Sequence, residues 1–145
     1  GLALGLAQDL VADGGRVPDR LVLLSPWLDL TLGHPLIPVY ERYDPWLARP
    51  GLAEAGLAWA GGDDPTAPRL SPGNGPLAGL PPMSVFIGTR EIAFPDAADL
   101  AEAASAAGVD VELTVADGAV HVYPLVPTPE GAAGTRAVVR AVAGR

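Results

Sequence analysis

Met83-Ser84-Val85-Phe86-Ile87-Gly88-Thr89-Arg90-Glu91 is the stretch whose reading decides the fold. An apolar run of strand length stops at a glycine and turns polar, as a strand buried on both faces does where it leaves its sheet. The same figure recurs on either side of it. Upstream, Leu21-Val22-Leu23-Leu24 is a short apolar run closed by Ser25-Pro26. Downstream, Val109, Val111, Leu113 and Val115 alternate with polar residues, the pattern of a one-sided strand nearer a sheet edge, and Asp117-Gly118 turns the chain towards His121. Between the second and third runs, Pro95 opens a helix through Leu100 and Ala104 that Gly108 ends. Strands joined by helical crossovers pair in parallel with right-handed connections. The expectation is an α/β fold of about three parallel strands with flanking helices.

Outside this centre, Leu2, Leu6, Leu10 and Val11 recur at helical spacing and Asp13-Gly14-Gly15 supplies a stop, so the chain opens with a helix. From Asp29 to about Pro45 it is rich in turns. Asp44-Pro45 reads as an N-cap followed by proline at the first helical position, predicting a helix from there to Gly61-Gly62, with Arg49-Pro50 as the alternative start. Residues 63–82 form an irregular proline- and glycine-rich segment, long for a compact domain unless it packs as a loop or lines a site. Thr128-Pro129-Glu130 caps a last helix with Ala137, Val138, Ala141 and Val142 as its apolar stripe. The 145 residues read as one domain's worth at most, with an insertion at about 29–82.

Composition narrows the chemistry. A net charge of -8 disfavours nucleic acid and anionic membranes as partners. The absence of cysteine removes disulfides, thiolate metal sites and thiol catalysis. Two histidines, His34 and His121, are too few and too far apart in sequence to suggest a metal site, and no cofactor motif is present. The apolar start is broken by Gln8 and Asp9, too short to span a bilayer and without a basic leader, which makes a cytoplasmic location the default.

Two residues stand out chemically: Glu91 just past the end of one strand and His121 in the loop after the next. A carboxylate and an imidazole so placed suit a general base and the acid that orients it. The chain has no G-x-S-x-G serine, and its four serines (Ser25, Ser71, Ser84, Ser105) offer no nucleophile signature; Ser25 and Ser71 precede prolines and read as turn residues. Asp96, just after Pro95, is the alternative orienting acid, although a first-turn helix charge is the better account of it. Trp27 and Leu28, with Tyr40 and Trp46, are candidates to line a substrate pocket.

The chain resembles the C-terminal half of an α/β-hydrolase of the hormone-sensitive-lipase-like esterase branch. The resemblance is carried, in order, by Gly1-Leu2-Ala3-Leu4, Leu24-Ser25-Pro26-Trp27-Leu28-Asp29-Leu30, Asp64-Pro65 to Leu70-Ser71-Pro72, Leu80-Pro81-Pro82, Gly88-Thr89-Arg90-Glu91 and Val120-His121. It implies a carboxylic-ester hydrolase whose catalytic histidine is His121 and whose acid is Glu91, glutamate where the branch usually has aspartate. Val122 stands where many relatives have glycine. The resemblance also implies that the nucleophilic serine and the glycine-rich oxyanion loop would precede Gly1. The chain on its own is then expected to be inactive on small esters and to expose an unpaired edge at Leu21 to Leu24, open to self-association. The competing expectation is a non-catalytic remnant or a half-domain that binds a partner.

Overall fold

In the computed structural model, which describes residues 1–144, β1 (Leu21–Leu24), β2 (Met83–Gly88) and β3 (Val111–Ala116) form one parallel sheet in the order β1-β2-β3. The central strand β2 is buried along its whole length, because helices cover both faces of the sheet. Leu21, Leu23, Met83, Val85 and Ile87 point to one face, where α1 (Leu2–Ala12) and α4 (Phe94–Ala106) bring Leu4, Ala7, Ala97, Leu100 and Ala104 onto them. Phe86, Val22 and Leu24 point to the other, under Ala137, Val138 and Ala141 of α5 (Pro129–Val142). This alternation is the period-2 geometry of a strand. Each fully buried apolar side chain on β2 (Met83, Val85, Phe86 and Ile87) contributes roughly 1.5–3 kcal/mol of transfer free energy.

The alternative start of the second long helix is the one observed: α3 spans Arg49–Ala60, and a one-turn helix, α2 (Ile37–Tyr40), precedes it. Asp44 does cap a turn, its Oδ1 accepting from the amides of Trp46 and Leu47 at 2.9 Å each. That turn cannot run on into α3, since Pro50 has no N–H to give to the preceding turn and its ring clashes there. The face of α1 also differs from the leucine spacing. Leu4, Ala7 and Gln8 are buried, while Leu2 and Leu6 remain 74% and 57% exposed beside a cleft shared with Trp59 of α3. On α5, Val142 lies outside the packed stripe at 71% exposed.

The irregular segment at 63–82 packs as a loop. Buried Ser71 donates to the Pro65 carbonyl (2.6 Å) and accepts from the Leu30 amide (2.7 Å), and Gln8 of α1 donates to the Pro72 carbonyl (2.9 Å). Asp29 fastens its own turn by accepting from Thr31, Gly33 and Ser71. Partial burial would raise its carboxyl, but these hydrogen bonds outweigh burial and hold it below the usual carboxylate range.

Candidate active site

All three strands end at the same edge of the sheet, and the residues just past their C-terminal ends meet there. This edge is where open parallel α/β sheets place their sites. β1 gives Ser25, the loop after β2 gives Glu91, and the loop after β3 gives His121. The last two loops are laced together by the Thr89 amide to the Ala116 carbonyl (3.1 Å), the Arg90 amide to the Ala119 carbonyl (2.9 Å) and the Gly118 amide to the Thr89 hydroxyl (2.8 Å). Gly88 is required at this junction, since a Cβ there would fall on the Ala119 carbonyl.

Glu91 is fully buried, so its oxygens need partners. Oε1 accepts from the Gly88 amide and from the Ser25 hydroxyl, both at 2.7 Å, and Oε2 lies 2.8 Å from Nδ1 of His121. With Oε1 holding two donors and Oε2 facing the ring, the consistent assignment puts the imidazole proton on Nδ1. Nε2 is then left as the free nitrogen of a side chain that is 25% exposed. A neutral imidazole oriented by a buried carboxylate in this way can accept a proton at Nε2 and return it.

Two backbone outliers flank the pair. Ser25 and Val122 have φ of 43° and 46°, in the left-handed region that favours glycine, and the Val122 amide donates to Ser25 Oγ at 2.8 Å. Strain at a β-branched residue, held by a hydrogen bond to a second strained residue, marks a segment that its surroundings over-determine.

His121 lines a cavity of about 130 Å³ whose walls include Trp27, Leu32, Leu47, Leu52, Ile92 and Asp96. Its outer wall is tied to the acid loop, since Asp44 Oδ2 accepts from the Ile92 amide at 2.9 Å. Trp27 is therefore where a substrate-lining role would place it. Leu28 does not line this cavity: at 2% exposed it belongs to the core cluster that includes Leu4 and Val85, and its edge borders the neighbouring cavity beside His34. Tyr40 stacks on Phe94 and Trp46 is 55% exposed, and neither lines the cavity. Asp96 lies in the first turn of α4 and makes no hydrogen bond to His121 among the described residues. Burial, with the charges of Asp29 and Asp99 adding to it and His34 opposing, pushes its carboxyl up to about 6.

Sequence reasoning missed two participants, Ser25 and Asp44, which it read as a turn residue and a helix cap. The one available signal was position, since Ser25 directly follows a buried strand, as Glu91 and His121 follow theirs within a few residues. Among the described residues no group of three or more histidine, aspartate or glutamate side chains is arranged to hold a metal ion.

The sequence pattern of the alpha/beta hydrolase fold matches residues 1–125. An esterase of Acinetobacter venetianus is 36% identical over 119 residues, covering 81% of this chain and 39% of that protein. A solved structure from the bacterial hormone-sensitive lipase family, an esterase, superimposes with a TM-score of 0.83 at 32% identity, over 94% of this chain and 46% of its own. A Staphylococcus aureus protein described as a candidate esterase gives a TM-score of 0.92 at 30% identity, over 97% of this chain and 48% of its own. The chain thus spans less than half the length of each of these relatives. With three parallel strands, helices on both faces and this match along most of its length, the chain belongs to the α/β-hydrolase family.

Proposed function

We propose that this chain supplies the general base and its orienting acid to a serine-type carboxylic-ester hydrolase, with His121 as base and Glu91 as acid. The observation that carries the reading is the 2.8 Å contact between His121 Nδ1 and a fully buried Glu91 at the edge of a cavity. In this reaction a serine hydroxyl attacks the ester carbonyl and its proton passes to Nε2 of His121. The tetrahedral intermediate collapses, the proton goes to the departing alkoxide, and an acyl-serine remains. Water, giving a proton to the same Nε2, then attacks the acyl carbon; the bond to the serine oxygen breaks, that oxygen takes the proton back, and the acid leaves. Glu91 keeps the proton-accepting nitrogen turned outward and stabilises the imidazolium that forms.

The four serines of the chain are engaged or placed elsewhere. Ser25 bonds Glu91 and Val122, Ser71 is fixed in the loop at 63–82, buried Ser84 accepts from Arg20, and Ser105 lies on α4. The nucleophile and the oxyanion donors are accordingly assigned to polypeptide other than these residues, in keeping with the longer relatives. Small carboxylic esters are the proposed substrates, in keeping with the esterases among its relatives, and the cavity of about 130 Å³ beside His121 lies where part of such a substrate would sit.

The test is hydrolysis of p-nitrophenyl acetate by the chain alone and by the chain joined to a segment carrying a G-x-S-x-G elbow. The expected result is background hydrolysis by the first and turnover by the second that His121→Ala abolishes. His121-dependent turnover by the chain alone, or turnover by the joined protein that ignores His121→Ala, contradicts the assignment.

A further inference from the structure

The hydrogen bonds around Glu91 form a ring. The His121 side chain meets Oε2, the Ser25 hydroxyl donates to Oε1, and Ser25 Oγ in turn accepts from the amide of Val122, the residue next to His121. One carboxylate thus grips the His121 loop twice, directly through the imidazole and through Ser25 at the main chain. Ser25 is 4% exposed, and its single proton and the lone pair taken by Val122 are both committed inside the site. We infer that Ser25 is a positioning residue for the base: its hydroxyl fixes the rotation of the Glu91 carboxylate and the height of the His121 loop together. The inference rests on the proposed Glu91–His121 pair and extends it to a third side chain.

Three features favour this over a plain turn role. Proline follows at position 26, but proline constrains the residue before it to extended or turn geometry and does not call for a serine. Ser25 holds φ of 43°, where glycine would serve a turn at less cost, so a side chain is retained against its backbone preference. The hydroxyl is also polarised in one direction, from the amide through Oγ to the carboxylate, an arrangement in which each bond strengthens the next. Without the hydroxyl, Gly88 alone would hold Oε1, and the carboxylate would be free to turn away from the ring.

The test is proton and nitrogen NMR on the chain as it stands, comparing wild type, Glu91→Gln, Ser25→Ala and Ser25→Gly. Wild type is expected to show a low-field Nδ1 proton on His121 and slow hydrogen exchange at the Val122 amide. Glu91→Gln should remove the low-field proton. Both Ser25 variants should broaden or remove it and speed Val122 exchange by roughly fivefold, the factor for losing one neutral hydrogen bond. Glycine is included because it relieves the strained φ, so it keeps the turn even if the alanine variant folds poorly. A low-field proton that persists unchanged in Ser25→Gly, with Val122 exchange unaltered, overturns the role of Ser25 and leaves the Glu91–His121 pair standing. Absence of the signal in wild type itself, with no response to Glu91→Gln, overturns the pair and the inference with it.

Discussion

Asp96→Asn should stabilise the chain at neutral pH and remove a pH dependence. Asp96 lies half-buried between the cavity beside His121 and a second cavity that holds His34, Asp29 and Asp99. Burial raises its carboxyl from the ordinary aspartate value of 3.8 to about 6. A raised acid pKa means that the folded state holds the proton more tightly than the unfolded chain. Between those two pH values the unfolded chain has released the proton and the folded one has not, so stability falls as pH rises. The penalty is absent below about pH 4, grows to about pH 6 and stays constant above it. Two pH units correspond to at most about 3 kcal/mol, and solvent screening of a partly exposed group reduces this to about 1 kcal/mol. The assay is urea unfolding followed by circular dichroism at pH 5 and pH 8, for wild type and Asp96→Asn. Subtracting the two proteins isolates Asp96, because Asp29, Asp99 and His34 are present in both. The variant should be more stable at pH 8 by about 1 kcal/mol, and by about half as much at pH 5. A variant no more stable than wild type at pH 8, or a difference that is the same at both pH values, refutes the reasoning.

Other perturbations follow from the same contacts. Glu91→Ala leaves the Gly88 amide and the Ser25 hydroxyl buried without their acceptor and should cost about 3 kcal/mol in urea unfolding, whereas a cost below about 1 kcal/mol contradicts the described bonding. Gly88→Ala drives a Cβ onto the Ala119 carbonyl, separating the acid loop from the His121 loop, and should cost about 2 kcal/mol; an unchanged midpoint contradicts that packing. Val122→Gly exchanges about 1–2 kcal/mol of left-handed strain for about 0.4–1 kcal/mol of added chain entropy, so its Tm should hold or rise, and a clear drop would show that Val122 is unstrained. Among the described residues β1 pairs only with β2, and Leu2, Leu6 and Trp59 are exposed nearby in the cleft between α1 and α3. Sedimentation should therefore show association that grows with concentration and weakens in Leu6→Glu; monodispersity at high concentration contradicts the open-edge picture.

The sheet was legible because each strand carries its own stop. Ile87-Gly88 and Leu24-Ser25-Pro26 end apolar runs abruptly, and the alternation from Val109 to Val115 announces an edge. Parallel pairing followed from the intervening helix without any knowledge of partners. The positions of Glu91 and His121 past strand ends were legible for the same reason. What the sequence did not show depends on contacts far along the chain. The buried face of α1 is chosen by packing against β1 and the Pro72 turn, and local leucine spacing cannot distinguish it from the face left open. Asp44 and Pro45 form a valid cap locally, and the conflict arises only with Pro50, five residues on. Leu28 and Trp27 are adjacent and both large, yet one enters the core and the other the cavity wall. Ser25 was hidden because its partners lie 66 and 97 positions away.

The proposed function depends on the orientation of one imidazole, and the nitrogen-15 shifts of His121 at neutral pH report it directly. The proton is expected on Nδ1, bonded to Glu91, with Nε2 bare and ready to accept a proton. A ring protonated on Nε2, or one that averages between the two nitrogens, would leave no oriented base at this site and would contradict the proposed function.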